Sequence, residues 1–99
     1  MAYTIKISEL ASRSLEELAA YIAQDDPYRA LSFTKDLLNS VEKTLRLFPY
    51  SSRSYKKYSV YTYKGYCVFY LVDEDRKQVN IIDIINPSQY TKHKIYNSE

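Results

Sequence analysis

A two-layer α+β domain, with a hairpin of two helices on one face of a mostly antiparallel sheet, is predicted by three observations. First, Tyr3 to Ile7 alternates at period two and is followed by two apolar stripes at helical spacing. Second, those stripes are separated only by Asp25-Asp26-Pro27, so the helices must turn back on one another. Third, from Ser59 to Ile85 the chain is rich in β-branched and aromatic residues, broken by short turn signals. The order is β-α-α-β-β-β in a single domain spanning 1–99.

Each element follows from its residues. Ser8 suits the cap of the first helix, and Glu9 places negative charge where the helix dipole favours it. Ala11, Leu15, Leu18, Ala19 and Ile22 then form one apolar stripe. Asp26 caps the second helix, and Pro27 fits its first position, where an N–H would go unbonded anyway. Ala30, Phe33, Leu37, Leu38, Val41, Leu45 and Phe48 make the second stripe, which runs to about Leu47 before Pro49 stops it. A further strand is expected from Ser59 to Tyr63, and Lys64-Gly65 forms a turn in which Gly65 is free to take positive φ. The runs Tyr66–Val72 and Val79–Ile85 flank Asp73–Gln78 and read as a hairpin. Asn86-Pro87-Ser88 ends it, and 89–99 reads as a polar, loosely held tail.

Both faces of that last hairpin are apolar. Tyr66, Val68, Tyr70 and Val72 oppose Cys67, Phe69 and Leu71, while Val79, Ile81 and Ile85 oppose Ile82 and Ile84. Two helices cover one face only. The other is expected to dock a partner.

Composition narrows the classes. The net charge of +2 divides unevenly: residues 1–50 carry six basic and seven acidic side chains, residues 51–99 eight and five. Arg53, Lys56, Lys57 and Lys64 occur in a stretch without an acid, interleaved with tyrosines from Tyr50 through Tyr55, Tyr58, Tyr61 and Tyr63 to Tyr66. Such a segment could meet phosphate or an acidic protein, or simply be solvated sheet surface. A single cysteine excludes an internal disulfide framework and fits a reducing compartment. No apolar run reaches the roughly 20 residues of a membrane span, and no signal peptide precedes the first strand; a cytoplasmic protein is expected.

Catalytic signatures are sparse. Cys67 and His93 have no companions at zinc spacing, so neither metal nor other cofactor is expected. Gly65 is the only glycine, which rules out a glycine-rich phosphate loop. Cys67 alternates inside a strand as a small core residue would, and His93 sits in the polar tail. Asp83, among isoleucines, reads either as an acid paired with a nearby cation or as a catalytic group.

Five segments carry a family resemblance. They are Leu15-Glu16-Glu17-Leu18-Ala19-Ala20-Tyr21-Ile22-Ala23, Ala30-Leu31-Ser32-Phe33, the turn from Leu45 through Pro49 to Arg53, and the two strands Tyr66–Tyr70 and Val79–Ile85. In order and spacing the chain resembles the RelE/ParE superfamily of type II toxin–antitoxin toxins, also known as plasmid stabilisation proteins. That resemblance implies a growth-inhibiting toxin held by a cognate antitoxin, with any operator DNA contacted only through the antitoxin. It makes Tyr66, Val68, Tyr70, Ile81 and Ile85 candidates for the antitoxin-binding face. Within the superfamily, RelE-like members cut mRNA on the ribosome without metal, and ParE-like members poison DNA gyrase.

The nuclease pattern has an arginine where this chain has Cys67. Gln89 and Tyr90 match the ParE-like ending, although Asn86 and Ser88 replace its histidine and arginine. The resemblance is therefore closer to ParE, with Arg53, Lys56, Lys57, Lys64, Gln89 and Tyr90 as target-binding candidates. A nuclease would instead draw on Lys56, Lys57 and Tyr90 to stabilise phosphorane charge and move protons. A protein-binding domain without toxicity is the third reading.

Overall fold

The computed structural model describes residues 2–86. The element order is β1 (Thr4–Ile7), α1 (Glu9–Ala23), α2 (Pro27–Leu45), β2 (Arg53–Tyr55), β3 (Tyr58–Tyr63), β4 (Tyr66–Asp73) and β5 (Gln78–Ile85). The five strands form one sheet in the order β1-β5-β4-β3-β2, antiparallel except for β1 against β5. The expected fold class holds. One strand more than expected is present, because the segment after Pro49 folds as the short edge strand β2 before β3.

Both helices start as their capping residues dictate. Ser8 Oγ accepts from the Ala11 N–H at 3.0 Å and donates to the Ile82 carbonyl at 2.8 Å, so one hydroxyl caps α1 and ties it to β5. Asp26 accepts from the Tyr28 and Arg29 N–H groups at 3.1 and 3.2 Å, with Pro27 in the first position of α2. The helix stops at Leu45, two residues short of the expected limit. Phe48 leaves the apolar stripe and, with Leu47, is exposed to solvent instead.

The main core lies between the helices and the sheet. Ala11, Leu18, Leu37, Val41 and Leu45 pack on Val68, Tyr70, Val79, Ile81 and Ile84. Phe33 covers the far end of this layer, its ring 4.7 Å from that of Tyr66.

A β-bulge decides which residues face the helices. Phe69 pairs with Asp83, but the next residue, Tyr70, pairs with Ile81, which leaves Ile82 as the extra residue of β5. Beyond it the alternation of β5 reverses. Ile84 therefore joins Val79 and Ile81 under the helices, while Ile82 and Ile85 turn to the opposite face. The strict alternation predicted for β5 is corrected accordingly.

The predicted antitoxin face is corrected as well. Val68, Tyr70 and Ile81 are buried beneath the helices, and Tyr66 packs at their margin against Phe33. These side chains offer a partner almost nothing. Ile85 belongs to the opposite face, where Val60, Cys67 and Phe69 are buried with it as a second cluster bordered by Tyr55, Tyr58 and Ile82. Tyr55 and Tyr58 stand edge-on to Phe69, both at 6.0 Å between ring centroids. That face is core too, not an open apolar sheet.

Candidate functional site

The basic residues are placed by two tight turns. Lys56 and Lys57 connect β2 to β3, with Lys56 at φ 55°, a left-handed conformation that glycine adopts more easily. Lys64 and Gly65 connect β3 to β4, at φ 49° and 87°. Each lysine lies over a neighbouring tyrosine: Lys56 over Tyr55 at 5.6 Å, Lys57 over Tyr58 and Lys64 over Tyr63 at 5.5 Å. The interleaving read from the sequence is thus a set of local cation–π pairs.

These turns sit at opposite ends of β3, about 20 Å apart at the rise of an extended chain. Lys56 and Lys57 project together at one end. Lys64 is alone of the four at the other, and Arg53, opposite Val60 on the edge strand, lies between. The structure does not gather the predicted basic cluster into one site. Gln89 and Tyr90 lie outside the described residues, as do His93 and the rest of the tail.

A polar knot forms at the end of the sheet that bears Lys56 and Lys57. Glu74, in the β4–β5 turn, accepts from Tyr3 Oη at 2.7 Å, from Lys77 Nζ at 2.8 Å and from Tyr50 Oη. Lys77 also lies over the Tyr3 ring at 5.4 Å. Hydrogen bonds from Lys77 and the two tyrosines hold the Glu74 carboxyl down at about 2, and the same carboxylate pushes the Tyr50 hydroxyl up to about 12. The knot joins the segment before β1, the loop after α2 and the β4–β5 turn. Spacing alone gave no signal for it, since its members are up to 74 residues apart.

The knot predicts a pH response. The folded Glu74 pKa lies below its ordinary value of 4.5, so its contribution to stability is complete above that pH and is lost as pH falls towards about 2. Wild-type protein should lose more melting temperature between pH 5 and pH 2 than Glu74→Gln, as read by thermal denaturation across that range. Parallel curves would show that the knot does not persist in solution.

Asp83 and Cys67 are both buried. The Asp83 carboxylate accepts from Ser14 Oγ of α1 at 2.6 Å and from the Ile84 N–H at 2.7 Å, beside the bulge. A serine hydroxyl and a backbone N–H stand where the sequence suggested a cation. Cys67 stands where the nuclease pattern has arginine and is enclosed in the second cluster. No group of three His, Cys, Asp or Glu capable of holding a metal occurs among the described residues.

The fold and these sites meet a family model at this point. The model for the ParE toxin of the type II toxin–antitoxin system parDE matches residues 5–89, most of the chain. The chain belongs to the ParE toxin family. Among solved structures, it superposes on a chain of the chromosomal ParDE toxin–antitoxin system from P. aeruginosa with a TM-score of 0.71. That pair shares 18% identity, and the match covers 86% of this chain and 96% of that one. A chain of the RelBE2 toxin–antitoxin complex from Mycobacterium tuberculosis gives a TM-score of 0.67 at 16% identity, covering 87% and 92%. No curated protein sequence matches significantly. At such identities the structures establish a shared RelE/ParE fold; membership of the ParE family comes from the sequence model.

Sequence reasoning missed exposed apolar side chains at both ends of α2. Leu47, Phe48 and Tyr50, on the loop after α2, are each more than half exposed, as are Tyr21, Tyr28 and Leu31 around the α1–α2 turn. The signal was available in Phe48, which the helical stripe absorbed although Pro49 follows it immediately.

Proposed function

We propose that this chain is a cytoplasmic toxin that arrests growth by acting on DNA gyrase and is held inactive by a cognate antitoxin, through which alone any operator DNA is contacted. The single observation that carries this is the ParE family match over residues 5–89. Two further features favour it over ribosome-dependent mRNA cleavage. Cys67 fills the position where the nuclease pattern needs a cation, and it is enclosed by apolar neighbours. Lys64 is separated from Lys56 and Lys57 by the length of β3, so the basic residues singled out in the sequence do not converge on one phosphate. No helix among the described residues is long and apolar enough to cross a membrane.

The nuclease reading keeps one observation in its favour, the paired projection of Lys56 and Lys57 from a single turn. Expression without antitoxin, with pulse-labelling of new DNA and new protein, separates the readings. DNA synthesis is expected to fail first. Earlier failure of protein synthesis, with transcripts spared in the Lys56→Ala/Lys57→Ala protein, would transfer the function to mRNA cleavage. Unimpaired growth would leave a protein-binding domain.

A further inference from the structure

The loop after α2 displays apolar side chains from a fixed backbone. Leu47 and Phe48 are adjacent and each 61% exposed. Around them the main chain is tied at several points. The Tyr3 N–H donates to the Arg46 carbonyl at 2.8 Å, and the Phe48 N–H donates to the Thr44 carbonyl at 2.9 Å. Ser51 donates both its N–H and its hydroxyl to the Phe48 carbonyl, at 3.2 and 2.8 Å. Buried Tyr70 donates its hydroxyl to the Pro49 carbonyl at 2.6 Å, and Tyr50 reaches Glu74. A loop fixed in this way has already lost the entropy that ordering on a partner would cost. Adjacent exposed apolar side chains on such a support have the character of interface anchors.

Charge selects the partner. From Lys43 to Val72 the chain has six basic residues and no acidic one, and the loop lies inside that stretch. Lys43 and Arg46 are exposed on the approach to the loop, Arg53 on its exit, and Lys56 and Lys57 at the same end of the sheet. The acids nearby are Glu42, Asp73, Glu74 and Asp75. Glu74 is engaged by Lys77, and Asp73 accepts from the Arg76 N–H at 3.2 Å. An apolar pair rimmed by excess positive charge fits an acidic segment that carries its own apolar side chains.

We propose that Leu47 and Phe48 anchor an acidic, apolar-bearing segment of the antitoxin, with Lys43 and Arg46 as the charged rim of that docking site. The inference rests on the reading that an antitoxin neutralises this chain. The test is titration of the whole chain with the purified antitoxin encoded beside it, at several salt concentrations. Leu47→Asp and Phe48→Asp should each weaken binding at least thirtyfold, about 2 kcal/mol. Lys43→Ser/Arg46→Ser should mainly slow association and flatten its salt dependence. Because these side chains are exposed, circular dichroism should show all variants folded. Unchanged affinity in both aspartate variants overturns the docking site while the antitoxin reading survives. No binding by the wild-type chain defeats that reading and the site with it. Aspartate variants that bind antitoxin normally but no longer arrest growth would assign the loop to the target instead.

Discussion

Phe69→Ala is expected to cost about 3–5 kcal/mol, a large share of the roughly 5–15 kcal/mol that holds a small domain folded. Phe69 is fully buried on the sheet face away from the helices, between Val60, Cys67 and Ile85, with two tyrosine rings at its edges. Removing the ring leaves a cavity that rigid neighbouring strands cannot close. Tyr55 and Tyr58 would lose their shared contact, and the β2–β3 hairpin should loosen with them. Urea unfolding followed by circular dichroism measures the loss. A change below about 1 kcal/mol would mean that this second cluster contributes little packing, and that the sheet depends on its helix-covered face alone.

Ser14→Ala should have the next largest effect, about 1.5–3 kcal/mol at neutral pH, because its hydroxyl donates to a carboxylate. Asp83 is fully enclosed, and Ser14 Oγ lies 2.6 Å from its Oδ1. A buried carboxyl deprived of a donor retains its desolvation cost without the compensating bond. Ser14→Thr keeps a hydroxyl and should recover much of the loss, which separates the bond from mere packing. Equal destabilisation by both variants would attribute the effect to the volume of the site. The contact also joins α1 to the bulged part of β5, so Ser14→Ala should speed amide exchange around Ile84 more than around Val60.

Local chemistry made the first half of the fold legible. Ser8, Asp26 and Pro27 each mark a helix start by satisfying or removing a backbone donor, and those signals need no knowledge of the rest of the chain. The sheet was harder for a physical reason. Period-two alternation identifies strands but not which face is inward, and one extra residue exchanges the two. Ile82 is that residue, in a run of isoleucines where no glycine or proline marks an irregularity. The face assignment of Ile84 and Ile85 therefore failed with it.

Edge strand β2 escaped notice because Arg53-Ser54-Tyr55 is too short and polar to alternate visibly. Lys56 concealed its turn, since lysine there occupies a left-handed position where glycine or asparagine is expected, whereas Gly65 had marked the turn it shares with Lys64. The polar knot at Glu74 could not have been read at all. Its members approach only because the sheet brings the start of the chain beside the last hairpin. Candidate residues chosen by their chemistry, such as Lys56 and Lys64, were real features of the surface. What failed was the assumption that neighbours in sequence converge in space.

The parallel pairing of β1 with β5 carries a consequence for how the protein is made. Thr4 to Ile7 find their partners at Gln78 to Ile81, so β1 waits during synthesis for a strand made some seventy residues later. The α1–α2 hairpin is built from local contacts and can form early, but β4 and β5, which cover its apolar stripe, are synthesised well after it. Until they follow, the chain presents an amphipathic hairpin with an uncovered seam, open to any chaperone or partner that reaches it first. The native sheet therefore becomes available in one late step, when β5 enters between β1, made long before it, and β4, made just before it.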